Sequence, residues 1–124
     1  MKLDHDFVRS ILLKIEDSSH PGGIERGEFN ELMEDNSKSF EELAYTVQIL
    51  LDGGLITGKV LWGNNVPSYI RPINLTYKGH EYLDNIRDTK IWASTKKTTS
   101  KLASVSIDIM SKVASELIIK SLNL

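Results

Sequence analysis

Three histidines, His5, His20 and His80, are the only imidazoles in the chain, and His80 stands one helical turn from a carboxylate, Asp84. Two donors on one helix face supply half of a tetrahedral zinc site, and no further ligand falls at a useful spacing, so no metal is expected. His80, Glu81, Asp84, Arg87 and Asp88 project from one stretch and have the types to orient a partner or pass a proton. Opposite charges three and four residues apart are first of all how a solvated helix surface is built. The sequence has no Walker loop, no Gly-x-Gly-x-x-Gly and no Gly-x-Ser-x-Gly elbow, nor a carboxylate pair set by a fold signature. Neither catalysis nor a bound cofactor is expected. What remains is recognition.

Two sets of residues are suited to it. A helix over 39–53 should turn Glu41, Glu42, Tyr45, Thr46, Gln48, Ile49 and Asp52 outward. Thr46 and Gln48 can bond base edges, and Lys59 and Arg71 on a following hairpin can reach phosphates of double-stranded DNA. The same helix brings three carboxylates toward phosphate, with only Lys38 before its start, which weighs against strong autonomous DNA binding. The second set suits a protein partner. Trp62 and Tyr69 are aromatic anchors that the hairpin could bring near each other, and Leu117 and Ile118 lie on an apolar final helix.

The elements that must position these residues can be read in order. Asp4 to Asp17 is an amphipathic helix with Phe7, Val8, Ile11, Leu12 and Ile15 on one face, Asp4 as N-cap and acids toward its positive end. Ser18 to Gly23, with Pro21, stops it. Residues 27–35 fit a helical turn and a short edge strand equally well. Ser39 followed by Glu42 is a capping box, and Phe40, Leu43, Ala44, Val47, Leu50 and Leu51 form the next stripe, ending at Gly53-Gly54. Leu55 to Trp62 reads as a strand, Gly63 to Ser68 as a turn-rich tip, and Tyr69, Arg71, Ile73 and Leu75 as the returning strand. Pro72 cannot donate to a ladder, so its position should face outward or sit at a bulge. Thr76 then caps a helix carrying Tyr82, Leu83 and Ile86, and Gly79 lets that helix lie close to the strand. Thr89 to Ser100 reads as one or two helical turns and a hinge, and the last helix as roughly 101–122. On it Asp108, Lys112, Glu116 and Lys120 form a salt-bridged line four residues apart. The rest is mostly apolar or small, so it needs cover, and docking together with self-association as a homodimer is expected.

The totals agree with a recognition domain. A chain of 124 residues, 40% hydrophobic and 26% charged, has ordinary globular composition. It has no cysteine, no signal-peptide pattern at the N-terminus and no apolar run long enough to span a bilayer, which points to a cytoplasmic protein away from membranes. The net charge of -2 hides an asymmetry: residues 1–89 carry nine Lys/Arg against fifteen Asp/Glu, and residues 90–124 carry six Lys against two acids. No concentrated basic face belongs to the first part, and the lysines of the tail, Lys90, Lys96, Lys97 and Lys101, reach DNA only if an assembly gathers them.

Helix, short extended piece, helix, two-stranded wing and helix is the order of a winged-helix domain. The segments Glu42-Leu-Ala-Tyr-Thr-Val-Gln-Ile-Leu-Leu-Asp-Gly-Gly-Leu-Ile56 and Leu75-Thr-Tyr-Lys-Gly-His-Glu-Tyr-Leu-Asp-Asn-Ile-Arg-Asp-Thr-Lys-Ile-Trp92, with the opening Met1 to Glu16, resemble a family of small bacterial and phage proteins built on a domain of unknown function. Its Leu-Thr-x-x-Gly pattern after a wing is shared with YjcQ-like and other winged helices. One position departs: the family often has histidine after the tyrosine of the middle helix, where this chain has Thr46, so no role for that histidine transfers. The resemblance implies an α+β winged-helix fold, placed over 1–88, and a bacterial, phage or prophage setting, and the apolar final helix makes 89–124 a helical extension expected to serve docking or dimerisation. The expected function is non-catalytic recognition of DNA, or of a protein without DNA binding.

Overall fold

The computed structural model describes residues 1–123, and position 124, the end of the expected extension, lies outside the described residues. The order is α1 (His5–Asp17), α2 (Arg26–Asn36), α3 (Phe40–Asp52), β1 (Ile56–Thr57), β2 (Val60–Gly63), β3 (Val66–Ile70), β4 (Asn74–Leu75), α4 (Tyr77–Ile86), α5 (Thr89–Thr99) and α6 (Ile107–Ser121). This α+β arrangement has two small antiparallel sheets, β1–β4 and β2–β3, and is compatible with a winged helix. No described helix is long and apolar enough to cross a membrane. The chain divides into two compact units, Met1–His80 and the part from Glu81 on, and the division falls inside α4.

The first unit is assembled by caps and stripes. Asp4 accepts from the Phe7 N–H at 3.1 Å, and α1 buries Phe7, Val8, Ile11, Leu12 and Ile15. Each such side chain is worth about 1.5–3 kcal/mol when fully removed from water. The segment left open between helix and strand is helix α2, with Phe29 and Leu32 buried, and Ser37 in the left-handed conformation closes it. In α3 the Ser39 hydroxyl accepts from Glu42 N and the Glu42 carboxylate accepts from Ser39 N, both at 3.1 Å, as the capping box predicts. Its buried residues are Leu43, Ala44, Thr46, Val47 and Leu50.

The strands are shorter than the sequence suggests. The run from Leu55 to Trp62 breaks at Gly58 and Lys59, where Gly58 has φ +138° and a Cβ would come 2.7 Å from the Ile73 side chain. The return breaks at 71–73, where Pro72 can donate no N–H. Ile73 crosses instead to Ile24, with Ile24 N–H to Ile73 O at 2.9 Å and Ile73 N–H to Ile24 O at 3.0 Å. The extended piece before α2 therefore adds a single bridge beside β4. Thr76 behaves as a cap: its hydroxyl accepts from Gly79 N at 3.0 Å and donates to Gly54 O at 2.6 Å.

The second unit is helical. Tyr82, Leu83 and Ile86 are buried, and α5 and α6 pack on each other, with Trp92, Thr95, Met110 and Ala114 buried. Asn85 of α4 donates to the Ser111 hydroxyl of α6 at 2.9 Å. The boundary read within the tail is corrected. The segment expected to be a turn or two and a hinge is an eleven-residue helix, because Asp88 caps it through Ile91 N at 2.9 Å. Thr95 and Thr99 return their hydroxyl protons to Ile91 O and Thr95 O, which lets threonine sit within a helix. Residues 101–106 are not helical, and α6 starts only after Ser106, whose hydroxyl accepts from Ile109 N. The line Asp108, Lys112, Glu116, Lys120 is exposed as expected, but among the described residues none of the four makes an ion pair.

Candidate functional site

The β2–β3 hairpin turns through two residues. Asn64 and Asn65 both take positive φ, 53° and 65°, the pair of values a type I′ turn requires and asparagine tolerates, and its twist matches the strands it joins. Gly63 faces Val66 and Val60 faces Ile70, but between them the register shifts: Leu61 faces Tyr69 while Trp62 faces Pro67. One extra residue, Ser68, is thereby accommodated on β3, and its hydroxyl donates to Leu61 O at 3.0 Å. The bulge puts Pro67 and Ile70, three apart, both under cover and leaves Ser68 and Tyr69 outside.

The same register separates the two aromatic candidates. Tyr69 is 50% exposed and Trp62 47% exposed, but they are not cross-strand partners. Trp62 is engaged with α3: its indole N–H donates to the Gln48 side-chain oxygen at 3.2 Å, and the Gln48 amide donates to Asp52 Oδ1 at 2.9 Å. Tyr69 borders a groove of about 270 Å3. Phe29 and Met33 of α2, Phe40 at the start of α3 and Ile70 give it an apolar floor and walls, and Arg26, Asn30 and Ser68 give it a polar rim. Phe40, placed by periodicity in the inward stripe of α3, is half-buried here and belongs to the groove.

The DNA candidates are distributed differently from the expectation. Thr46 is not outward: it is only 4% exposed and its hydroxyl donates to Glu42 O at 2.7 Å, because the side of α3 that packs inward is wider than the apolar stripe. Gln48 has its amide committed at both ends. Lys59 and Arg71 are exposed and brought together, with Arg71 N–H bonded to Lys59 O at 2.9 Å. Lys38 is held away from any phosphate role by Asp4 at 2.8 Å and Glu42 at 3.6 Å, and its ammonium lies 5.5 Å from the Phe7 ring centre. Those contacts push the Lys38 pKa up, the Asp4 hydrogen bond most of all. Burial raises the Asp4 carboxyl, but the Lys38 bond, the Phe7 N–H and the Lys38 charge outweigh it and hold the group below its ordinary value.

Among the remaining candidates, His20 and His80 are exposed and His5 half-buried, while Asp84 accepts from Arg87 at 2.9 Å. Leu117 and Ile118 are half-buried, and the exposed apolar residues of the tail are instead Leu102, Ile109, Ile119 and Leu122.

Residues 2–106 match the model of a family described as "Hypothetical protein (DUF2513)", and the chain belongs to that family. The matched span ends at the cap of α6. A protein of Haemophilus influenzae that carries the name "Uncharacterized protein" is 36% identical over 121 residues, covering 95% of this chain and 96% of its own. No solved structure matches significantly.

Proposed function

We propose that this member of the DUF2513 family is a non-catalytic winged-helix recognition module, of bacterial or phage setting, whose wing and α2 take up an apolar segment of a protein partner. The observation that carries this reading is Tyr69, half-exposed on the bulge and bordering a groove floored by Phe29, Met33 and Phe40. An exposed aromatic beside an apolar groove with a polar rim has the make-up of an interface centre. Arg26 at the rim makes no ion pair among the described residues, so the segment that fits best carries an apolar anchor with a carboxylate next to it.

The second reading is duplex DNA, favoured by one observation, the juxtaposed Lys59 and Arg71. Against it stand the buried Thr46, the engaged Gln48 and the carboxylates of α3. One experiment separates the two: selection from a random-peptide library on the full chain, beside titration of random duplex DNA at low salt. The protein reading expects peptides with an apolar residue near an acid, whose binding Tyr69→Ala and Met33→Glu abolish and Lys59→Ala leaves alone. Salt-sensitive DNA binding lost in Lys59→Ala and Arg71→Ala, with no groove-dependent peptide, would overturn it.

A further inference from the structure

We infer that α6 is the seam of a homodimer, in which two copies of the chain lay this helix side by side, antiparallel, about a two-fold axis at the level of residue 114. The inward side of α6 is marked by its two buried residues, Met110 and Ala114. At about 100° per residue Asp108, Lys112 and Glu116 fall on the opposite side and Lys120 at its edge, all exposed and none ion-paired among the described residues. Ile109, 42% exposed, and Ile119, 47% exposed, flank that charged line near its two ends.

The occupant of this face is identified by the order of the charges, which run minus, plus, minus, plus. A two-fold axis at residue 114 exchanges positions equally far to either side of it. Asp108 then meets Lys120 of the partner subunit, and Lys112 meets Glu116 of the partner subunit. Symmetry repeats both contacts, so every charge on the face is matched. The same operation brings Ile109 and Ile119 of the partner subunit to one level on opposite edges of the seam, so the charged contacts are bordered by an exposed apolar residue on either side. Other arrangements are penalised. A parallel copy sets each charge against its own kind. A slip of one turn sets Lys112 against Lys112 of the partner subunit, and a slip the other way sets Glu116 against Glu116 of the partner subunit. Like charges held opposite each other select against those registers.

Fifteen residues make a helix about 22 Å long, so the seam is small beside a standard interface of about 1,600 Å2 and the dimer should form in the micromolar range. This inference rests on the second unit alone and is independent of the groove. Sedimentation equilibrium of the full chain from about 10 to about 500 µM should show a monomer–dimer equilibrium, weakened between about 50 mM and about 500 mM salt. Lys112→Glu alone and Glu116→Lys alone each turn two matched contacts into repulsions and should weaken dimerisation at least about tenfold. Mixing the two variants should restore a dimer with one chain of each, and the double variant K112E/E116K should dimerise by itself. All the altered positions are exposed, so circular dichroism should not change. A wild type monomeric at the highest concentration and low salt, single variants that dimerise like wild type, or a mixture that does not recombine would each overturn the seam.

Discussion

The indole N–H of Trp62 reaches across from the β2–β3 hairpin to the Gln48 side-chain oxygen of α3, 3.2 Å away. The tie joins two elements through side chains that remain partly in water, and a net hydrogen bond of this kind contributes about 0.5–1.5 kcal/mol at most. Gln48→Ala and Trp62→Phe should therefore each cost no more than about 1 kcal/mol in urea unfolding, with a double-mutant coupling of a few tenths. Fluorescence gives a second readout, because Trp62 is 47% exposed and Trp92 only 4%. Acrylamide should quench the wild type readily, and in Trp62→Phe the remaining emission should resist it. Equal quenching of the two proteins would contradict the exposed position of Trp62.

Gly79 tests how closely α4 approaches the sheet. A Cβ there would lie 2.0 Å from Leu55 O and 3.1 Å from the Leu75 side chain, and Leu55 O already accepts from Thr76 N at 3.1 Å. Alanine favours a helix interior by about 1 kcal/mol over glycine, so on propensity Gly79→Ala should stabilise. Backbone contact reverses the sign: the first turn of α4 must move, as an overpacked core must, at about 1–3 kcal/mol or more. A net loss of at least about 1 kcal/mol is expected in denaturant unfolding, and an unchanged or raised midpoint would show that the helix has room.

Caps and stripes are what the sequence made legible, because their hydrogen bonds join residues three or four apart. Asp4 with Phe7, Ser39 with Glu42 and Thr76 with Gly79 are all where local pattern places them. Gly79 was legible too, as a residue with no side chain where helix meets strand. The α2 segment was ambiguous because it buries only Phe29 and Leu32, too short a stripe to carry a period. Thr46 is buried against its polar character because burial on α3 depends on what packs around it, which hydropathy does not encode. The bulge at Ser68 is a relation between two strands. The groove collects Phe29, Met33, Phe40 and Tyr69 from three elements, and no spacing in the chain brings them together. In the tail, Asp88 stands in a run of charged residues that hides its position as the cap of α5.

Acid should loosen the N-terminal cap. Asp4 is held below the ordinary carboxylate range despite the opposing pull of burial, and Glu42 is held below it too, chiefly by the Ser39 backbone N–H. A depressed folded-state pKa contributes stability that is present above the unfolded value, about 4, and is lost as pH falls through the folded one. The melting temperature should therefore fall as pH drops below about 4. In Asp4→Asn the side chain can still accept from Phe7 N but has no charge to offer Lys38. Its stability at pH 7 should be lower by up to about 1 kcal/mol, a modest figure because the pair is partly exposed, and the gap from wild type should close in acid. A gap that stays constant from neutral to low pH would assign the loss to shape instead of charge.

Tyr82 should behave in the opposite sense. It is 3% exposed, and among the described residues its hydroxyl has no hydrogen-bond partner, so folding strips water from a polar group and returns nothing. Such a group costs about 1–3 kcal/mol. Tyr82→Phe removes the hydroxyl while keeping the ring, and should raise stability by up to about 1 kcal/mol, since neighbouring atoms close the small space it leaves. Burial also pushes the phenol pKa well above its ordinary value. A raised folded-state pKa contributes stability that is complete below the unfolded value, about 10, and declines as pH rises through the folded one. Urea unfolding at pH 8 should show the phenylalanine variant slightly ahead, and near pH 11 its lead should widen because only the wild type gains by ionising on unfolding. A variant less stable than wild type at pH 8 would mean that the hydroxyl has an acceptor or a buried water.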